Sequence, residues 1–286
     1  MIRSLPQSRL YSRGFRLYIL LYFLFLFAPL LVTCILAFNN SQFPSLPWKG
    51  FTWEWFTGNR PDRIGIFNDQ SNLESIWVSA QTAFFVSILS LIVGTCSAFL
   101  FEQENFRFKS LLYFLMLAPL VVPGVILGIS ILMFANSLGL FFENNFNLDV
   151  PLFRPGFWLV VLGQFSFICT FVSLVVSAKL KKFDHSLEEA ALNLGANRLE
   201  VIWYITLKFL RPALIGSAAV AFLMSFENFN TTLFLIGSET TLPINLYLQL
   251  RDGSTPVINS ISFLLIVGTS LLAVVNLFFS RGQSDS

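Results

Sequence analysis

Glu227 interrupts the apolar run Ala213–Ile236, followed directly by Asn228, Asn230, Thr231 and Thr232 and flanked by Phe226 and Phe229. A carboxylate, amide oxygens and aromatic faces in that order suit one task, holding an organic cation. If the run crosses a membrane, inserting the carboxylate costs roughly 2.5 kcal/mol or more, so it must face a cavity or a partner. A purely structural carboxylate, paired with another subunit, is the simpler alternative. Little else could react. His185 is the single histidine, and no cysteine or carboxylate pattern surrounds it, so a solvated loop residue is expected. Cys34, Cys96 and Cys169 lie apart inside apolar runs, where cysteine packs as a small hydrophobe, so neither a disulfide framework nor a metal site follows. An enzyme needs a nucleophile or an acid–base cluster, and none is visible.

The elements that must place Glu227 are membrane spans. The chain is 55% hydrophobic and 12% charged, with a mean hydropathy of +0.70, too apolar for a soluble globule. A hydrocarbon core about 30 Å thick takes roughly 20 apolar residues as helix. Six runs meet that length: Leu17–Phe38, Ile76–Phe101, Leu111–Ala135, Gly156–Ala178, Ala213–Ile236 and Val257–Phe279. They do not alternate apolar with polar residues, which excludes barrel strands. The first run is too long for a signal-peptide core, and no small-x-small cleavage site follows it. The expectation is therefore one all-α integral membrane domain over residues 1–286.

Lysine and arginine assign the sides. Arg3, Arg9, Arg13, Arg16, Arg107, Lys109, Lys179, Lys181, Lys182, Arg198, Lys208, Arg211 and Arg281 fall on one side. Only Lys49, Arg60, Arg63, Arg154 and Arg251 fall on the other. The richer side is read as cytoplasmic, with both termini. A net charge of +2 points to no nucleic-acid partner.

In the third run, Pro119 and Pro123 remove backbone donors, and Gly124 and Gly128 permit close packing, so a bent helix lining a pathway is expected. The stretch from Asn39 to Asn72 is rich in Pro, Gly, Asn and tryptophan. Its Trp48, Trp53 and Trp55 read first as interface anchors. Between Lys179 and Arg211, Asp184 is placed to cap a helix beginning near Ser186, with Glu188 and Glu189 in its favourable first turn. Leu187, Ala190, Ala191 and Leu194 share one face. Gly195 is placed to end that helix in the left-handed region, and Asn197 to begin another through Leu199, Ile202, Trp203, Ile205 and Leu207. Two short helices joined by a sharp turn are predicted. Their acidic polar side and small alanines favour docking on protein over resting on lipid.

Glu189-Ala190-Ala191, Gly195, Ile205 and Leu207, at these spacings, resemble the EAA loop of permease subunits of binding-protein-dependent ABC importers. The resemblance extends over nearly the whole chain. Trp48–Phe56, Ser225-Phe226-Glu227-Asn228-Phe229 and Leu242-Pro243-Ile244-Asn245-Leu246-Tyr247 are similar to the spermidine/putrescine group, specifically to the second of its two permease subunits. It implies the type I importer permease fold, six transmembrane helices with a cytoplasmic coupling loop at about 179–212. ATPase coupling would fall to Glu188, Glu189, Ala190, Ala191, Gly195 and Ala196. The substrate pathway would include Phe226, Glu227, Asn228, Phe229, Asn230, Tyr247 and Trp55. Implied partners are a homologous permease subunit in a heterodimer, two ATP-binding subunits, a periplasmic or lipid-anchored substrate-binding protein and membrane lipid. ATP and magnesium would sit on the ATPase, leaving this chain without a cofactor in a bacterial inner membrane. Three positions depart from the family pattern. Lys208 stands where a proline usually follows the I-x-L, and Asn228 and Leu120 stand where related permeases carry further acids. One intramembrane charge leaves a betaine-like cation as the alternative substrate, and an ion-coupled secondary transporter as a more distant one.

Overall fold

A computed structural model describes residues 9–61, 63–253 and 255–281, with side chains described from 11 to 271. Arg3 and the two chain termini of the topology argument lie outside the described residues. The long elements are α1 (Arg9–Leu36), α3 (Gln70–Gln103), α5 (Gly124–Phe146), α6 (Phe157–Leu180), α9 (Leu207–Phe226) and α12 (Val257–Arg281). Shorter ones are α2 (Glu54–Thr57), the hairpin β1 (Asn59–Arg60) and β2 (Arg63–Ile64), α4 (Lys109–Val121), α7 (Ser186–Asn193), α8 (Arg198–Val201), α10 (Thr232–Leu235) and α11 (Leu242–Gly253). Five helical stretches are long and apolar enough to cross a membrane: Tyr11–Leu36, Gln70–Gln103, Gly124–Phe146, Phe157–Leu180 and Arg198–Phe226. Lys109–Val121 and Val257–Leu271 are shorter apolar helices.

Contacts divide the chain into two compact units: one up to Leu73 and again from Leu248, the other Glu74–Tyr247. In the first unit, α1 packs along α12, where Ser260 Oγ donates to the Ala37 carbonyl at 3.3 Å. The ring of Phe38 meets Phe51, Trp53, Phe56 and Phe263, all at centroid distances of 5.0–5.3 Å. This aromatic knot fixes the segment between α1 and α3 to the head of α12. In the second unit the core is built around α6, whose apolar window is 61% buried, against 6% for that of α1. Val161, Ile168, Val172 and Val176 of α6 are fully covered by Val86, Ala98, Leu210 and Ala221 among others. The outward faces left bare are suited to lipid or to other subunits.

Two expected spans come out differently. Leu111–Ala135 is not one helix: α4 ends at Val121, Val122 is extended at φ −72°, ψ 130°, and α5 starts at Gly124. The cause is two prolines four residues apart. Pro119 deprives the Leu115 carbonyl of its donor, Pro123 deprives that of Pro119, and a residue before proline is pushed out of the helical region. At 13 residues α4 is about 20 Å long, whereas α5 spans alone and runs on to Phe146.

The fifth span, expected over Ala213–Ile236, stops at Phe226, and Glu227–Thr231 are non-helical before the short α10. At its other end the separate second short helix is not formed. Instead α8, a π-helical turn over Ile202–Thr206 and α9 run continuously from Arg198 to Phe226. Lys208, unlike the proline usual in the family, keeps its backbone N–H and lets the helix pass through.

Candidate functional site

The two helix breaks meet inside the second unit. Pro119, Leu120, Val122, Gly124, Leu127 and Phe167 line a cavity of about 220 Å³ together with Asn228, Asn230 and Thr231. Close approach requires the glycines. A Cβ on Gly124 would lie 3.0 Å from the Asn230 Cβ, and one on Gly128 only 2.7 Å from the Thr231 carbonyl oxygen. A buried polar network holds the second break. Gln164 of α6, fully buried, donates from Nε2 to Thr232 Oγ1 at 2.7 Å and accepts from Ser225 Oγ at 2.5 Å. Thr232 Oγ1 donates on to Asn228 Oδ1 at 3.0 Å, which also takes the Thr232 N–H at 3.3 Å. Thr170 Oγ1 donates to the Met116 carbonyl at 2.7 Å and ties α4 to α6 as well. One buried amide therefore clamps the last turn of α9 to the first residue of α10.

Only some of the expected pathway residues gather here. Asn228 and Asn230 line the cavity. Phe229 pairs with Tyr247 at 5.1 Å, and Phe226 stacks on Phe222 at 6.1 Å. Glu227 caps the C-terminal end of α9 with an exposed side chain and is not among the lining residues. What the cavity offers is uncharged polar groups from two asparagines and a threonine, beside Pro119, whose carbonyl lacks its helical donor because residue 123 is proline. Such a set is polar without charge, and its free oxygens can accept from an ammonium group. Gln164 was not singled out in the sequence, although it is the sole side-chain amide in α6. That alone was the available signal, since its partners lie 61 and 68 residues away.

Trp55 belongs to the first unit. It is 3% exposed, donates from Nε1 to the Asn39 carbonyl at 2.8 Å, and carries the Arg63 guanidinium 5.6 Å from its ring centre. Arg63 in turn pairs with Glu54 at 2.6 Å. With Gln42, Asp69 and Gln249, Trp55 lines a cavity of about 340 Å³ within that unit.

The segment 181–201 folds largely as its residues suggest. Ser186 donates its N–H to Asp184 Oδ1 at 3.0 Å, and the hydrogen bonds from Ser186 hold the Asp184 carboxyl below its ordinary pKa. Gly195 ends α7 at φ +92°, a conformation that disfavours any Cβ, while Ala196 returns its N–H to the Ala191 carbonyl at 3.1 Å. Asn197 and Glu200 close a reciprocal cap on α8. Glu188 is engaged internally, accepting from Thr206 Oγ1 at 2.6 Å and lying 3.3 Å from His185 Nδ1. Glu189, Ala190 and Gly195 stay exposed, beside the uncovered Leu187, Leu194 and Leu199. No group of three metal-ligating side chains occurs among the described residues.

Three comparisons bear on this arrangement. The family model described as "Binding-protein-dependent transport system inner membrane component" matches residues 88–283. The putrescine transport system permease protein PotI of Escherichia coli (strain K12) is 30% identical over 259 residues, covering 90% of this chain and 87% of the relative. The spermidine/putrescine transport system permease protein PotC of Haemophilus influenzae is 25% identical over 276 residues, 96% of this chain and 98% of its own length. In fold, the chain is similar to a bacterial ABC transporter involved in the import of the acidic polysaccharide alginate, with a TM-score of 0.60, 14% identity and coverage of 97% and 99%.

Proposed function

Because the chain belongs to the family of binding-protein-dependent transport system inner membrane components, we propose that it is a permease subunit of an ATP-driven importer of polyamines. The observation that carries the substrate class is the likeness to a putrescine permease along 90% of the chain. The uncharged cavity between the two helix breaks, with its asparagines and threonine, supports it. Neither a secondary carrier nor a betaine permease is favoured by these relatives.

On this reading an amine exchanges part of its water for Asn228, Asn230 and the Pro119 carbonyl as it passes the breaks. Glu227, one residue before the lining asparagine, supplies the attracting charge from the mouth of the site rather than from its floor. Phe229 and Tyr247 supply aromatic faces, and Phe226 backs them through Phe222. Trp55, on the wall of the first unit's own cavity, is a further candidate pathway residue.

The chain works beside a homologous permease subunit, over two ATP-binding subunits that hold ATP and magnesium, and beneath a substrate-binding protein. The exposed Glu189, Ala190 and Gly195, with the half-buried Ala191 and Ala196, form the docking edge on the ATPase, and Glu188 braces it against Thr206. Both termini and the 179–212 segment lie in the cytoplasm. Closure of the ATPase dimer pulls α7 and, through the continuous rod from Arg198 to Phe226, moves the break at Glu227. Alternating access follows, because a rod joined to one side of the cavity cannot move without reshaping it.

The test is uptake of labelled putrescine and spermidine by the complete complex in proteoliposomes, with betaine as competitor. ATP-dependent amine uptake resistant to betaine is expected. Betaine uptake in its place would overturn the substrate class.

A further inference from the structure

We propose that the outward face at the start of α9 seats the headgroup of an anionic phospholipid. The inference needs α9 to be a membrane span but does not rest on the transport reaction or its substrate.

Trp203, Tyr204, Leu207, Lys208, Arg211 and Leu214 line an open groove of about 520 Å³. From Tyr204 onward they follow one another at helical spacing, so they share one side of the rod. The π-helical turn Ile202–Thr206 inserts an extra residue at its top, and Trp203 and Tyr204 are both 69% exposed there. The opposite side of the same turns is fully committed. Phe209 and Leu210 pack into the α6 core, and Lys179 lies 4.3 Å from the Phe209 ring centre.

The two cations of the groove are not matched by the protein. Among the described residues, neither Lys208 nor Arg211 makes an ion pair, although they sit three apart on one helix face. The carboxylate closest to them in sequence, Glu200, is engaged in the cap on α8. Like charges a turn apart destabilise a helix unless an anion lies between them. The groove also stands where the polar 181–200 segment gives way to apolar helix, the level at which aromatic belts and headgroups meet. A soluble phosphate would satisfy the charges but not Leu207, Leu214 and the 55% exposed Ile215, which continue the face into the span. Those side chains suit an acyl chain below a phosphate. The occupant is therefore a lipid.

The complete transporter in nanodiscs gives the test, through quenching of Trp203 fluorescence by brominated phosphatidylglycerol or brominated phosphatidylcholine. Subtracting the Trp203→Phe variant removes the signal of the other tryptophans. Stronger quenching by the anionic lipid is expected, and Lys208→Gln with Arg211→Gln should lower that preference by roughly 30-fold, about fivefold for each lost cation. Lys208→Arg with Arg211→Lys should retain it, which separates lost charge from lost fold. Equal quenching by both lipids in the unmodified chain would overturn the headgroup claim. Absence of quenching by either would show protein covering the face and overturn it too.

Discussion

Replacing Gln164 by leucine tests whether the break after α9 is built by the buried network or merely borders it. The substitution keeps the side chain's bulk and removes two hydrogen bonds, to Thr232 Oγ1 at 2.7 Å and from Ser225 Oγ. Both hydroxyl residues are buried, so no water replaces the lost partner. Hydrogen bonds inside membrane bundles average about 0.6 kcal/mol and reach about 1.7, so the pair is worth roughly 1–3 kcal/mol. Thr232 keeps its bond to Asn228, which holds the estimate below the cost of two bare hydroxyls. Resistance of the purified complex to unfolding by sodium dodecyl sulfate reads the stability. A double-mutant cycle with Thr232→Val isolates the pair, with an expected coupling of about 0.6–1.7 kcal/mol. ATP-dependent uptake should fall several-fold in a complex that still assembles, because Asn228 is set by Thr232 and Thr232 by Gln164. Unchanged uptake with zero coupling would refute the claim that this network shapes the pathway.

Gly128→Val should abolish uptake while leaving insertion intact, since its Cβ would press 2.7 Å from the Thr231 carbonyl and push α5 off the break; normal transport would show the approach to be dispensable. Gly195→Asp forces a side chain into φ +92°, a strain of about 1–2 kcal/mol, and should release the ATPase on size-exclusion chromatography. Glu189→Lys should leave the complex assembled but separate ATP hydrolysis from uptake, measured in the same proteoliposomes. The cap at Asp184 has a defined pH signature. Its folded pKa lies below the unfolded value, so its stabilisation is present above about pH 4 and is lost as pH falls through the folded value. Hydrogen exchange at the first amides of α7, corrected for intrinsic rates, should accelerate in that acid window, and Asp184→Asn should remove the dependence.

Local features were the most legible. The cap at Asp184, the left-handed Gly195 and the start of α8 at Asn197 depend on a few adjacent residues whose chemistry acts within one turn. Hydropathy, being a sum over neighbours, located four of the five long apolar helices, whereas the third expected span split and moved on to Gly124–Phe146. The breaks were only half visible. Pro119 and Pro123 announce a bend, but whether a helix bends or parts depends on what receives the freed groups, and here Asn230 and Thr231 arrive from more than a hundred residues away. The end of α9 at Phe226 is set likewise by Gln164 and Thr232, across the unit rather than along the chain. Glu227 drew attention as the one charge in its run, yet the structure gives the cavity wall to its neighbours Asn228 and Asn230. Trp55 illustrates the same limit: aromatic composition suggested an interface, whereas the ring is buried and its N–H goes to the Asn39 carbonyl sixteen residues earlier.

The central claim is that an amine passes between the two helix breaks. Asn230→Cys, in a chain whose Cys34, Cys96 and Cys169 are replaced by alanine, allows the most direct measurement. The complete complex is treated with a positively charged methanethiosulfonate, and ATP-dependent putrescine uptake is followed against the fraction of the introduced thiol that has reacted. Uptake should fall in proportion to modification, and putrescine present during transport should slow the labelling. Full uptake after complete modification would contradict the account.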